Sequence, residues 1–272
     1  MGGYTEHILD GVNKDINTDF PDAQSYLDLV SDWVSAYPIP KVIEHEGFNV
    51  IREDLLEVGT KARALDYRMA NMKQSECVYV QPRYGYAGIA LSWLANKHDK
   101  KCVLFVPESK EITPHIQRCI DYGAEIHFRK IYGMNGLRKY AREYCEANTD
   151  SYYFQPGLRN EPTITACLIK TAISMNIKPK EVWSVVSTGV LQRALQIAWP
   201  DADFHAVAVA RNMKPGELGK ANIHSHPMAF AQYEKDIHLP PFPSAPNYDA
   251  KAWRFVREHA SPGAYFWNVA GY

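Results

Sequence analysis

The sequence predicts an α/β protein built on mostly parallel sheets with helices on both faces. Three observations predict it. Short apolar runs alternate with segments of helical period from residue 77 onward. The apolar runs have strand length. The helical segments open and close on cap signals. In order, Cys77-Val78-Tyr79-Val80 is a strand, and Gly88 to about His98 is helical. Cys102 to Val106 is a buried strand ended by Pro107. Thr113-Pro114 opens a helix, threonine as N-cap and proline in the first turn, which runs to Tyr122-Gly123. Ala124 to Phe128 is a strand, Leu137 to Ala147 a helix, and Tyr152-Tyr153-Phe154 a short strand. A long helix from Pro162 to Met175 leads to a buried strand, Val182 to Val186. A helix from Gly189 to Trp199 and a strand from Phe204 to Ala210 complete the alternation.

The ends break the pattern. Asp22 to Ala36 reads as a helix, and Val42 to Arg52 as a hairpin turning at His45-Glu46-Gly47. Residues 211–247 hold six prolines and little periodicity, so they read as one long irregular connection. A last helix, Asp249 to Ala260, precedes a terminal strand, Tyr265 to Val269. No internal repeat is visible.

Bulk properties narrow the class. The chain has 272 residues, 46% hydrophobic and 22% charged, as in a soluble globular protein of one large or two small domains. A formal net charge of -1 gives no global attraction to nucleic acid or anionic membrane. No apolar run approaches the ~20 residues that span a bilayer. The first residues lack the regions of a signal peptide. Five cysteines without C-x-x-C spacing read as thiols of a reducing cytoplasm, with Cys77, Cys102 and Cys167 in the core. His224-Ser225-His226 has no carboxylate or cysteine at ligand spacing, so no metal is expected.

The most informative stretch is Gly59-Thr60-Lys61-Ala62-Arg63-Ala64-Leu65-Asp66-Tyr67, which starts a helix just after Arg52-Glu53-Asp54. By itself it is a solvated lysine in a first turn. It resembles the lysine segment of the pyridoxal-phosphate (PLP) enzymes of fold type II, the tryptophan synthase β-like family, which reads K-R-E-D-L and then G-x-K-x-R-x-L-E-Y. The nearest branch is that of aminocyclopropane-carboxylate deaminase and cysteine desulfhydrase. Further segments match in the same order. Ser187-Thr188-Gly189-Val190-Leu191 leaves a buried strand and enters a helix where the family has its phosphate loop, often G-T-G-G-T. Only Gly189 remains of those glycines, while Ser187 and Thr188 keep hydroxyl donors. Tyr84-Gly85-Tyr86-Ala87-Gly88 stands where the family has S-G-N-H-G, the loop that clamps the substrate carboxylate, and Pro107-Glu108 reproduces a later proline-acid pair. Tyr248-Asp249-Ala250-Lys251-Ala252-Trp253 and Phe266-Trp267-Asn268-Val269-Ala270-Gly271 resemble the branch's ending, Y-T-G-K-A-L and F-I-H-T-G-G. Smaller likenesses lie at Pro38-Ile39-Pro40 and Phe154-Gln155-Pro156-Gly157.

The resemblance spans about residues 37 to 271. It implies a two-lobed fold-type II enzyme, with a small lobe at residues 76–158, a large lobe at 1–75 with 159–272, and PLP between them. It implies that Lys61 forms a Schiff base with the cofactor and then serves as general acid/base. Ser187, Thr188, Gly189, Val190 and Leu191 surround the phosphate, and Asn268 lies by the pyridine nitrogen. Gly85 and Tyr86 touch the cofactor, and Tyr84 and Tyr86 face the substrate. Both tyrosines replace polar residues of the family loop, which points to an unusual substrate or a shifted reaction. The alternative is an aromatic lid. The implied activity is that of a lyase or deaminase on an amino acid or similar amine. Family members are often dimers, so a homodimer is expected.

Two further readings stay open. One is a decarboxylase or lyase acting on an amino acid attached to a nucleobase in DNA. The five basic residues from Arg129 to Arg142, with Tyr132 and Tyr140 interleaved, motivate it, against a solvated helix face. The other is a PLP-binding protein whose catalysis has lapsed, motivated by the eroded loops.

Overall fold

Two sheets, parallel except for one hairpin, carry the computed structural model, which describes residues 22–130, 133–159, 161–214 and 216–271. Helix α1 (Ala23–Asp28) is capped by Asp22, whose carboxylate accepts from the Ser25 N–H at 2.8 Å. Strands β1 (Val42–His45) and β2 (Phe48–Arg52) pair antiparallel. Their two-residue turn has both Glu46 and Gly47 at positive φ, the geometry that suits the twist of a tight hairpin. Helix α2 (Thr60–Ala70) and strand β3 (Glu76–Val80) follow, then α3 (Ala87–Lys97) and β4 (Lys101–Pro107). Thr113 caps α4 (Pro114–Asp121) through the Ile116 N–H, as the Thr-Pro signal predicts. Next come β5 (Glu125–Arg129), α5 (Met134–Ala147), β6 (Ser151–Phe154) and α6 (Pro162–Ser174). The chain ends through β7 (Glu181–Val186), α7 (Val190–Ala198), β8 (Asp203–Ala208), β9 (Asn222–Ser225), α8 (Ala250–His259) and β10 (Tyr265–Asn268).

The described residues divide into two compact units, one within Met1–Ala64 and Asn160–Tyr272, the other Leu65–Arg159. The first boundary falls inside α2. The first unit holds a six-stranded sheet in the order β1-β2-β10-β7-β8-β9. Its core centres on Trp253, whose ring lies 5.8 Å from Phe48, 4.9 Å from Phe242 and 5.8 Å from Phe266. The second unit holds a four-stranded parallel sheet, β5-β4-β3-β6. Val78, Val80, Val103 and Phe105 pack there against Leu137 and Ala141 of α5. Cys77, Cys102 and Cys167 are buried free thiols. Among the described residues no helix is long and apolar enough to cross a membrane, and no group of three or more His, Cys, Asp or Glu side chains is arranged to hold a metal.

Two expectations need correction. The first helix stops at Asp28 instead of continuing to Ala36. The carbonyls beyond it are satisfied from outside, since Lys170 Nζ on α6 donates to Val30 O at 2.8 Å and Trp33 O at 2.7 Å. Lys170 thus takes up carbonyls that a continued helix would have used. Within residues 211–247, β9 adds a strand, paired with β8 from His205↔Asn222 to Ala208↔Ser225. Its four residues carry no two-fold alternation strong enough to be read in sequence.

Candidate active site

Strands β2, β10 and β7 are parallel neighbours, so their carboxyl ends open on one edge of the sheet. Ligands of open α/β sheets bind at such an edge. Beyond β2 the chain makes a 3-10 turn, Glu53–Leu55, and starts α2 at Thr60-Lys61. Beyond β7 it makes the Ser187–Gly189 turn into α7. Beyond β10 it passes Val269 and Ala270. The last strand thus lies between the two segments that the family resemblance singles out.

Lys61 is held by anchored backbone. The Thr60 N–H donates to Val269 O at 2.9 Å, and Trp267 Nε1 donates to Thr60 Oγ1 at 2.8 Å. Gly59 has φ +65°, and a Cβ there would run into Val269 O, so only glycine lets α2 start this close to β10. Arg63, one turn on, makes a buried pair with Glu53, Nη2 to Oε1 at 2.8 Å. Desolvation of the Lys61 amine lowers its pKa below the ordinary lysine range, against the opposing charge of Asp249.

Asp249 is fully buried, and its Oδ1 accepts from the Val269 N–H at 3.1 Å. Its Oδ2 is buried without a hydrogen-bond partner. Burial pushes the carboxyl up to about 8, even though the Val269 N–H, Lys61 and the Ala270 N–H favour the charged form; the Ala270 N–H nonetheless makes no hydrogen bond of good geometry to Oδ2. An orphaned buried carboxylate oxygen is costly, and it marks a place for a donor the protein itself does not supply. This residue escaped the sequence reading. Asp249 directly precedes α8 and looks like a helix cap, yet its side chain caps nothing there.

Asn268 is fully engaged. Its Nδ2 donates to Asp54 Oδ1 at 2.7 Å and to Pro243 O at 2.8 Å, and its Oδ1 accepts from Ser244 Oγ at 2.8 Å. Asp54 is held in turn by Arg52, with 2.7 and 2.8 Å contacts. Lys251, also fully buried, donates to Ala229 O at 2.8 Å and fastens the irregular segment. In that segment His226 Nε2 lies 3.0 Å from Glu234 Oε2, so this histidine of the His-Ser-His run serves a buried pair.

In the β7–α7 turn, Ser187 and Thr188 are half-buried, and Gly189 takes the left-handed conformation, φ +79°. A Cβ at Gly189 would strike Leu218 and come within 3.0 Å of Arg193 Nη1. Arg193 Nη1 donates to Thr188 O at 3.0 Å, which places a buried guanidinium at the turn. Val190 and Leu191 begin α7, and first-turn N–H groups have no partner inside their own helix. The Tyr248 hydroxyl reaches Ser187 Oγ at 3.5 Å, and burial raises its pKa. Lysine, carboxyl, hydroxyls and a helix start at one sheet edge fit an aldehyde-bearing, phosphorylated pyridine.

Tyr84, Gly85 and Tyr86 lie in the second unit, between the carboxyl end of β3 and the start of α3, with Tyr86 at the N-cap position. Buried Gln81 shapes this loop, donating to Gly85 O at 2.5 Å and accepting from the Gly88 N–H at 2.9 Å. A Cβ at Gly88 would collide with the Gln81 amide.

No family model matches the chain, and no curated protein matches it. Solved structures do. An ACC deaminase homologue is 14% identical at TM-score 0.74, covering 90% of this chain and 94% of that one. A threonine deaminase from T.th. is 16% identical at TM-score 0.67, covering 93% and 98%. A pyridoxal 5'-phosphate-dependent aspartate racemase is 14% identical at TM-score 0.62, covering 94% and 96%. Likeness of this extent at such low identity shows that the chain has the α/β fold of the fold-type II pyridoxal-phosphate enzymes.

Proposed function

We propose that this chain holds pyridoxal 5'-phosphate through Lys61 and acts as a lyase or deaminase on an amino acid or similar amine. One observation carries the reading: Lys61, Asp249 and the Ser187–Gly189 turn stand at the carboxyl ends of three adjacent strands. The names of the similar structures, two deaminases and a racemase among them, support it.

Bound there, the cofactor supplies an aldehyde that condenses with amines and a ring that accepts the electron pair left when a Cα bond breaks. Lys61 supplies the nucleophile. Burial favours its uncharged form, the one that attacks a carbonyl. With a substrate amine in place, a free Lys61 Nζ would be the group to take or return a proton at Cα. We assign the pyridine nitrogen to Asp249 Oδ2 in place of Asn268, whose amide groups are already bonded to Asp54, Pro243 and Ser244. The Ser187 and Thr188 hydroxyls and the backbone N–H groups from Gly189 to Leu191 hold the phosphate. The family resemblance assigns Tyr84 and Tyr86 to the substrate and Gly85 and Tyr86 to the cofactor.

The reading in which the amino acid is attached to DNA rests on the basic stretch. Inside the second unit three of those five side chains have local partners. The Arg129 guanidinium lies over the Phe105 and Tyr140 rings, Arg138 bonds Asn135, and Lys139 pairs with Glu143. A free substrate is therefore the better reading. Retention of both Lys61 and an orphaned carboxylate weighs against lapsed catalysis. The test is a visible spectrum. Purified protein given PLP should be yellow, and Lys61→Ala should lose the covalent chromophore. A parent that stays colourless after added PLP refutes the assignment.

A further inference from the structure

The loop Tyr84-Gly85-Tyr86-Ala87-Gly88 lacks a histidine, having alanine at position 87 where the resembling loop S-G-N-H-G has one. In the fold an imidazole nevertheless lies against that loop. It belongs to His115, in the first turn of α4 and about thirty residues further along. The His115 ring meets Tyr86 at 4.7 Å between centroids with planes at 65°, and Tyr84 at 5.8 Å and 73°, both edge-on. His115 is only 6% exposed. Its place is fixed from the side of α4, where Thr113 caps the helix and donates its hydroxyl to Arg83 O at 2.5 Å, joining the helix start to the residue before Tyr84. Gln81 fixes the loop from the other side through Gly85 O and the Gly88 N–H. One imidazole thus contacts both tyrosines and is itself immobilised.

Edge-on contacts of aromatic rings fix ring angle as well as distance. We infer that His115 is the positioning residue of the substrate-facing loop, setting Tyr84 and Tyr86 in the arrangement that recognises the carboxylate of an amino-acid substrate. The inference rests on the reading of that loop as substrate-facing. His115 acts through the two tyrosines and needs no contact with substrate. The imidazole comes from another element, so loop and α4 form a single recognition unit.

The test uses PLP-loaded parent, His115→Ala and His115→Phe, with methylamine and a set of amino acids (L-alanine, L-serine, L-cysteine and D-cysteine) as probes. The readouts are PLP uptake, melting temperature, and the concentration of each amine that shifts the visible band. Methylamine needs only the aldehyde, whereas amino acids also need the carboxylate recognised. In His115→Ala the half-shift concentration for the best amino acid should rise at least about tenfold, with that for methylamine unchanged. His115→Phe keeps an aromatic edge against both tyrosines and should recover most of the loss. Equal changes for methylamine and amino acids, or no rescue by phenylalanine, overturn the inference while leaving the PLP assignment intact. A parent whose band no amino acid shifts more readily than methylamine overturns it as well. Failure of the parent to take up PLP is a separate result and strikes the cofactor assignment.

Discussion

Two residues at the sheet edge have their protonation set by burial, in opposite senses. Lys61 is pushed toward the uncharged amine, and Asp249 is pushed up to about 8. An uncharged amine suits the role proposed for Lys61. Asp249→Asn should leave PLP uptake through Lys61 intact, because the amide fills the same space. It should lower turnover on the order of a hundredfold, the scale of a lost acid–base contribution. Spectra and rates of the loaded variant check both halves. If turnover persists in Asp249→Asn and is lost in Asn268→Ala, the pyridine nitrogen belongs to Asn268. Lys61 was legible because its neighbours along the chain carry the pattern. Asp249 was not, because an orphaned oxygen is a property of what surrounds it in space.

At the scale of elements, the site depends on two strand-to-helix turns that tolerate little added volume. Gly189 combines left-handed backbone with contact from Leu218 and Arg193. Gly189→Val should destabilise the protein by about 1–3 kcal/mol through backbone strain and weaken PLP binding more than tenfold, about 1.4 kcal/mol. Fluorescence titration with PLP and thermal melts check the two effects. A variant with parental PLP affinity places the phosphate elsewhere. The start of α2 hangs on a buried bond from Trp267 Nε1 to Thr60 Oγ1. Thr60→Val keeps the shape but strands a buried indole N–H, so it should cost about 1–3 kcal/mol. An unchanged melting temperature would show that α2 is held by its backbone contacts to Val269 alone. The alternation of strands and helices was readable because each obeys a local period. The end of α1 and the position of β9 were not, since Lys170, far along the chain, decides the first and pairing with β8 across an irregular segment decides the second.

For the whole molecule, buried ionisable groups make stability depend on pH, and the sign can be worked out. Asp249 has a folded pKa near 8 against an ordinary 3.8. The folded state therefore binds more protons between those values, and the stability this group contributes at low pH is lost as pH rises from about 4 to about 8. Buried Lys251 is lowered to about 8 from 10.5, chiefly by desolvation. Here the unfolded state binds more protons, so stability rises as pH climbs from about 8 to about 10.5. In the cofactor-free protein, melting temperature against pH should dip near pH 8. Asp249→Asn should flatten the descending side, and Lys251→Met should reduce the ascending side, to which buried Lys61 also contributes. A variant curve parallel to the parent's on its own side refutes the assignment of that limb.

What the sequence determined by itself was the class of fold, the order of most elements, the lysine and the strand-to-helix turn. These are local, each written in a few consecutive residues by period, cap or motif. What only the tertiary structure decided was which distant residues join them. β10, the last strand, enters between β2 and β7, and so Asp249 and Asn268 reach the edge where Lys61 stands. Packing then separated the two, bonding every polar group of Asn268 and leaving one oxygen of Asp249 alone. It also supplied the imidazole beside Tyr84 and Tyr86 from α4. Hydrogen-bond saturation and burial are sums over neighbours in space, and a chain read in one dimension does not contain those sums.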